Sequence, residues 1–81
     1  MKVPVQFYSH LRDALGVSQT AADLAEGATV ADLLTVLYSR YPRLREWESS
    51  MLIGAGVEFV GRDYLLQKGD DIAIMPPVQG G

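Results

Sequence analysis

One amphipathic helix pattern constrains the fold of this chain more than any other feature. Thr29 precedes it, and Asp32 follows three residues later, a spacing that approximates a capping box. Apolar residues then recur at helical spacing and form one stripe, made of Val30, Leu33, Leu34, Leu37, Tyr38 and Tyr41. Pro42 ends the pattern, because proline lacks the backbone N–H that a helix interior needs. The sequence therefore predicts one main helix that packs a single apolar face on the rest of the chain.

Short strand patterns lie on both sides of this helix. Val3, Val5 and Phe7 alternate with polar or smaller neighbours, which predicts a first strand with these three side chains towards the core. Further strands are predicted over residues 17–24, from residue 51, and over 57–60 and 72–75. Three minor elements complete the prediction: Ser9 capping a short helix over 10–15 that Gly16 ends, a helical turn over 43–49, and a bend or tight turn at 54–56.

The order of these elements predicts an α+β fold of the β-grasp type. In this arrangement one main helix packs across a mixed sheet of about five strands, and the last strand pairs beside the first. The strand–helix–strand crossover should be right-handed. With 81 residues and no internal repeat or linker, the chain is expected to form a single domain, 1–81, with a flexible C-terminal tail over 76–81.

Composition excludes several classes of function. The chain contains no cysteine, so disulfides, thiolate metal sites and cysteine nucleophiles are excluded. A net charge of −3 argues against nucleic acid as a partner. No apolar run is long enough to span a membrane and no signal peptide opens the chain, so a cytoplasmic location is expected.

The predicted body offers no catalytic or metal-binding set of side chains. His10 is the single histidine, and without cysteine it makes a poor metal ligand. Asp70 and Asp71 follow Gly69, where aspartate favours local hydrogen bonds in a turn. We therefore expect no bound metal or cofactor.

The C-terminal segment is the chemically unusual part of the chain. Two prolines stop the last strand, and Val78, Gln79, Gly80 and Gly81 follow them. Glycine has no Cβ, so this end is slender enough to enter a narrow channel. Six extended residues reach roughly 20 Å. A terminal carboxylate can be adenylated, and sulfide attack then gives a thiocarboxylate, a chemistry that needs no side chain of this chain.

The sequence resembles the small subunit of molybdopterin synthase, the MoaD-like, ubiquitin-like sulfur carriers, over its whole length. The most specific part is residues 68–81, which run Lys-Gly-Asp-Asp-Ile-Ala-Ile-Met-Pro-Pro-Val-Gln-Gly-Gly. Phe7-Tyr8 with residues 12–16, and residues 27–34, support it. Gly56 departs from the family pattern, which often has Asn there, but both residues tolerate positive φ.

The resemblance implies a role for the end of the chain. Gly81 would be adenylated at the expense of ATP by an E1-like activating enzyme, and a sulfur donor protein would then supply the sulfur of a thiocarboxylate. The tail, Pro76, Pro77, Val78, Gln79 and Gly80, would carry Gly81 into the large synthase subunit. There it would donate sulfur to cyclic pyranopterin monophosphate, in a heterotetramer whose catalytic side chains belong to the large subunit.

The resemblance also implies a partner surface. Strand parity places Tyr8 and Met75 on the face opposite the helix, and Phe59 is expected to join them. The resemblance points to these three residues, with Arg12, as contacts to the large subunit.

Three alternatives remain open from the sequence. A sulfur carrier for thiazole synthesis shares the body and the Gly-Gly end, although the Pro-Pro-Val spacer favours the molybdopterin branch. A ubiquitin-like modifier would use the same tail to form isopeptide bonds. A non-enzymatic β-grasp interaction domain would make no use of the glycines.

Overall fold

Five strands, two α-helices and one 3₁₀ segment make up the computed structural model, which describes residues 1–77. The elements in chain order are β1 (Lys2–Phe7), α1 (Ser9–Leu15), β2 (Gln19–Asp23), α2 (Val30–Arg40), the 3₁₀ segment (Pro42–Trp47), β3 (Leu52–Ala55), β4 (Glu58–Phe59) and β5 (Ile72–Met75). The predicted order of elements is confirmed.

The main helix begins with the capping box that the sequence predicts. The Thr29 hydroxyl accepts a hydrogen bond from the Asp32 backbone N–H at 3.3 Å, and the Asp32 carboxylate accepts one from the Thr29 N–H at 2.8 Å. These bonds satisfy donors that the first helical turn leaves without partners. The predicted stripe is buried from Val30 to Tyr38, whereas Tyr41 lies at the helix end and packs its ring edge-on against Phe7 at 5.7 Å.

The sheet has the strand order β2-β1-β5-β3-β4, with β1 and β5 parallel and the other neighbours antiparallel. The last strand lies beside the first, as predicted, and the structure places it in the centre of the sheet. With α2 packed across one face, the arrangement is a β-grasp. Pro4 lies opposite Ala21 of β2, and the pairing of β1 with β5 begins only at the next residue, where Val5 pairs with Ile72. Pro4 is tolerated in β1 because no ladder hydrogen bond needs the N–H that it lacks.

The core lies between the sheet and α2. Strand alternation places Val3, Val5 and Phe7 of β1 in this core with Ile72 and Ile74 of β5, and each is at most 2% exposed. Leu11 of α1 and Leu44 of the 3₁₀ segment close its edges, both fully buried. Complete burial of a large aliphatic side chain stabilises the folded state by about 1.5–3 kcal/mol, as an upper estimate.

The predicted role of Ser9 is wrong. Tyr8 occupies the N-cap position of α1 and makes no side-chain capping bond. Ser9 is the first residue of α1 and has φ +55°. The Tyr8 N–H is bonded to the Ile74 carbonyl, so the chain is still part of the sheet one residue before the helix. Gly16 ends α1 in the left-handed region at φ +74°, as predicted.

The region around Gly54 also differs from the prediction. Gly54 and Ala55 belong to β3 instead of forming a turn, and the turn lies at Gly56 and Val57. Gly56 has φ +62°, which suits the first central position of a two-residue hairpin. In consequence β4 is only Glu58–Phe59, shorter than the predicted strand over 57–60.

The capping box gives a stability prediction with a matched control. Thr29→Ala removes the side-chain acceptor of the box, and we expect it to lower the free energy of unfolding by ~1 kcal/mol. Thr35→Ala changes an exposed threonine in the middle of the same helix, whose hydroxyl only donates back to the Ala31 carbonyl at 3.1 Å. That change should stay within ~0.5 kcal/mol. Urea titrations of both variants test this, and equal effects would show that the box contributes nothing.

Candidate functional site

The sheet face turned away from α2 carries the candidate site, and we call it the outer face. Its residues follow the alternation that buries their neighbours. One row across the sheet joins Gln6, Ala73, Gly54 and Phe59 through the pairs Gln6–Ala73, Ala73–Gly54 and Gly54–Phe59. In a second row Met75 pairs with Leu52, and Tyr8 follows Phe7 on the other side of β5. The outer face is therefore apolar across β5, β3 and β4, and Gln6 and Tyr8 of β1 border it.

Gly54 shapes the middle of this face. A Cβ built at Gly54 would meet the Met75 Cε at 3.5 Å and the Ala73 Cβ at 3.8 Å, which is ordinary van der Waals contact. The Met75 side chain thus extends over a strand position that has no side chain of its own, and it is half-buried there. Phe59, on the other side of Gly54, is 69% exposed. The result is a low apolar surface bordered by one protruding ring.

The structure brings three of the four predicted partner-binding residues to this face. Tyr8, Phe59 and Met75 all lie there, and the Tyr8 hydroxyl donates a hydrogen bond to the Gln6 Oε1 at 2.7 Å. Arg12 is part of neither row. It lies on α1, exposed, with its Nε 3.9 Å from the Asp13 carboxylate, a separation at which a surface ion pair contributes little.

Two further outer-face residues, Leu52 and Ala73, and one exposed hairpin residue, Val57, are absent from the sequence prediction of the site. Alternation along β3 and β5 places Leu52 and Ala73 on the same face as Met75, so strand alternation alone could have identified them. Val57 is fully exposed at the tip of the β3–β4 hairpin. The sequence predicts a strand at Val57, because it predicts the turn at 54–56 and not at Gly56 and Val57.

The predicted tail begins at the outer face. Pro76 and Pro77 follow Met75 directly and are half-buried, outside any strand. Because β5 is the central strand, the chain leaves the sheet between Tyr8 of one neighbour and Leu52 of the other. The remaining predicted site residues, Val78, Gln79, Gly80 and Gly81, lie outside the described residues.

Asp70 organises a hydrogen-bonded turn in the described body. The Asp70 carboxylate accepts hydrogen bonds from the Gln67 N–H at 2.7 Å and the Tyr64 hydroxyl at 2.9 Å, which confirms its predicted turn role. The hydrogen bond to Asp70 raises the pKa of Tyr64 above its ordinary value, because ionisation would remove the hydroxyl proton that Tyr64 donates to the carboxylate. Among residues 1–77, no group of three or more His, Asp or Glu side chains is placed to hold a metal ion. His10 is exposed on α1.

No helix within residues 1–77 combines the length and the apolar character needed to cross a membrane. The longest, α2, has 11 residues, about half of what a bilayer requires.

Comparisons with known proteins agree with this geometry. The molybdopterin synthase sulfur carrier subunit of Chlamydomonas reinhardtii is 29% identical to the chain over 83 residues, with 100% of both sequences covered. A solved structure described as a putative molybdopterin converting factor, subunit 1, from Pyrococcus furiosus is 29% identical, covers 96% of this chain and 99% of its own, and superposes with a TM-score of 0.84.

A second solved structure contains a related chain with a partner. It is the complex of subunits 1 and 2 of the molybdopterin-converting factor from Helicobacter pylori, and its matching chain is 24% identical, with 100% of both chains covered and a TM-score of 0.73. At that identity the likeness shows the fold, a ubiquitin-like β-grasp. The model described as the ThiS family matches residues 5–81, which include the outer face and the terminal Pro-Pro-Val-Gln-Gly-Gly, so the chain belongs to the ThiS family.

Proposed function

We propose that this chain is the sulfur-carrier subunit of a molybdopterin synthase, and that it carries sulfur as a thiocarboxylate on Gly81. The observation that carries the proposal is the family match, which spans residues 5–81 and so includes the terminal glycines, on a body whose described residues hold no metal-binding group. The Chlamydomonas relative, matched over its full length, bears the name of this subunit.

The outer face supports a role in docking to a large catalytic subunit. Phe59, Leu52, Ala73 and Met75 form an apolar surface around Gly54, and aromatic residues in such positions are common anchors of protein interfaces. The Helicobacter structure, described as a complex of subunits 1 and 2, is consistent with such a partner. In the proposed assembly two small subunits flank a dimer of large ones, which provide the catalytic side chains.

The chemistry proposed for Gly81 uses partners for each step. An E1-like enzyme transfers AMP from ATP to the carboxylate and releases pyrophosphate. A sulfur donor protein supplies sulfide-level sulfur, which displaces AMP and leaves the thiocarboxylate. In the synthase this sulfur attacks a side-chain carbon of the cyclic pyranopterin monophosphate and displaces the oxygen substituent of that carbon, and water then hydrolyses the resulting thioester, which leaves the sulfur on the pterin and returns the Gly81 carboxylate. This chain contributes reach, a slender end and a docking surface.

Intact-mass spectrometry tests the first half of the proposal. The chain is incubated with ATP, sulfide and a cognate activating enzyme, and the expected product is heavier by the difference between one sulfur and one oxygen atom. The control omits ATP and should leave the mass unchanged. If no such product forms with an enzyme that loads a known carrier, the carrier assignment is wrong.

A second assay separates the molybdopterin branch from thiazole synthesis. The loaded chain is mixed with a large synthase subunit and cyclic pyranopterin monophosphate, and dithiolene formation is followed. Sulfur loading without transfer to the pterin would instead favour the thiazole carrier. Attachment of the chain to lysines of other proteins would favour the ubiquitin-like modifier.

A further inference from the structure

The edge of β2 is an open hydrogen-bonding surface. β2 is the first strand in the sheet order, and within residues 1–77 it pairs on one side only, with β1. The Phe7 N–H donates to the Ser18 carbonyl, and the Leu24 N–H donates to the Met1 carbonyl. Because antiparallel pairs alternate between bonded and non-bonded, the intervening odd-numbered residues of β2 direct their N–H and C=O groups away from β1: Gln19, Ala21 and Asp23.

This edge is self-complementary. If two copies meet with a two-fold axis midway between their Ala21 residues, these residues exchange both backbone hydrogen bonds, and each Gln19 pairs with Asp23 of the other copy. That register opposes a neutral amide and a carboxylate, so no like charges face each other along the strands. β2 contains no proline, and the small side chains of Ala21 and Ala22 leave room for close approach. Such an edge is a template for pairing with a second strand.

Arg40 occupies the centre of that edge. It lies in the last turn of α2, and its Nη1 donates to the Ala21 carbonyl at 2.8 Å and to the Thr20 hydroxyl at 2.9 Å. The Ala21 carbonyl is also one of the two acceptors that would pair across the two-fold axis. In a paired dimer the two guanidinium groups would also converge on the axis, and this would add like-charge repulsion to the loss of the two hydrogen bonds.

We propose that Arg40 guards a self-pairing strand edge and keeps β2 from forming a continuous sheet with β2 of a second copy. This edge lies on the side of the sheet opposite β4, and Arg40 would guard it whether or not the chain carries sulfur. Three features coincide at Ala21. Its carbonyl faces outward, it lies at the symmetry centre of the possible pairing, and the charged Arg40 side chain is bound to its carbonyl.

Sedimentation velocity over a concentration series tests the proposal. Arg40→Ala removes the charge and frees the Ala21 carbonyl, and we expect the variant to dimerise at least about tenfold more tightly than the unaltered chain. Arg43→Ala is the matched control, because Arg43 also donates to a backbone carbonyl, that of Ala14 at 3.2 Å, but on α1. The control should associate no more than the unaltered chain.

A double variant identifies the surface responsible. Ala21 lies opposite Pro4 in a non-bonded pair, so its N–H serves the free edge alone, and Ala21→Pro blocks that edge without removing a β1–β2 hydrogen bond. Arg40→Ala with Ala21→Pro should return to the monomer. Amide exchange in the single Arg40→Ala variant provides a second measurement, with protection of Gln19, Ala21 and Asp23 expected to rise with concentration.

Three results would overturn the proposal. One is an Arg40→Ala variant that associates no more than Arg43→Ala. Another is a dimer that persists in the folded double variant, with folding checked by circular dichroism. The third is a dimer whose formation leaves the exchange of those three amides unchanged.

Discussion

Deletion of Gly81 is expected to abolish both sulfur uptake and sulfur transfer. In the proposed chemistry the reacting group is the terminal carboxylate, and a chain that ends at Gly80 would present it about 3.5 Å short of its position in a partner's active site. A misplacement of even ~1 Å can cost about 10²-fold in rate. The free energy of unfolding should change by no more than ~0.5 kcal/mol, because every core residue in the described part of the chain precedes Pro76.

Intact mass and dithiolene formation measure the two activities, and thermal unfolding measures stability. Gly80→Leu is the informative companion, because it keeps the chain length and the terminal carboxylate but adds a bulky side chain next to it. We expect this variant also to lose transfer, since a wider end is excluded from a narrow channel. A deletion variant that still gained and delivered sulfur would contradict the carrier proposal and favour a β-grasp interaction domain.

Phe59→Asp is expected to weaken binding of the large subunit by about 30-fold or more, the effect of losing an anchor worth ~2 kcal/mol. The ring is 69% exposed in the free chain, so its replacement removes little packing and the fold should be retained. A carboxylate buried at an apolar interface would in addition be desolvated without a partner. Titration calorimetry with the large subunit measures the loss.

Leu65→Asp is the matched control for this change. Leu65 is also an exposed apolar residue, at 55%, but it lies in the segment that bridges to Thr29 and not on the outer face. It should bind the large subunit as the unaltered chain does. Equal losses in both variants, or none in Phe59→Asp, would show that the outer face is not the docking surface. Met75→Asp should behave like Phe59→Asp and remain folded, while its unfolding would assign Met75 to the core.

The parts of the fold that sequence predicted well are those where several local signals agree. At α2 the capping pair, the apolar stripe and Pro42 all indicate the same helix, and the structure has it over Val30–Arg40. β5 is bounded by a turn and by two prolines, and its predicted limits, Ile72 to Met75, are confirmed. Strand parity in β1 likewise identified the buried set without error.

The hairpin was predicted less well because its conformation depends on tertiary pairing. Glycine is unfavourable in an isolated strand, so Gly54 was assigned to a turn. In the structure Gly54 is paired on both sides, with Phe59 and with Ala73, and these ladders outweigh its local preference. Ser9 was assigned as a cap for a similar reason: its side chain suits that position, but the bond of Tyr8 to Ile74 determines where the helix begins.

The candidate site, too, could be predicted only where it follows from a local strand pattern. Parity in β1 and β5 placed Tyr8 and Met75 on the outer face, and both lie there. Arg12 came from the resemblance alone, and nothing in the strand pattern relates it to that face. The Arg40 contact spans 19 residues in sequence and joins a helix end to a strand edge, so no local pattern could have indicated it.

The exit of the chain from the centre of the sheet has a kinetic consequence. Because β5 ends at Met75 on the outer face, docking of that face would fix the origin of the segment 76–81 within about 20 Å of its target. Delivery of the glycine then becomes an intramolecular search at an effective concentration on the order of millimolar or higher. Weakening the face should therefore slow transfer only below saturation, and a higher concentration of a Phe59→Asp chain should restore it. No concentration should restore a chain that lacks Gly81.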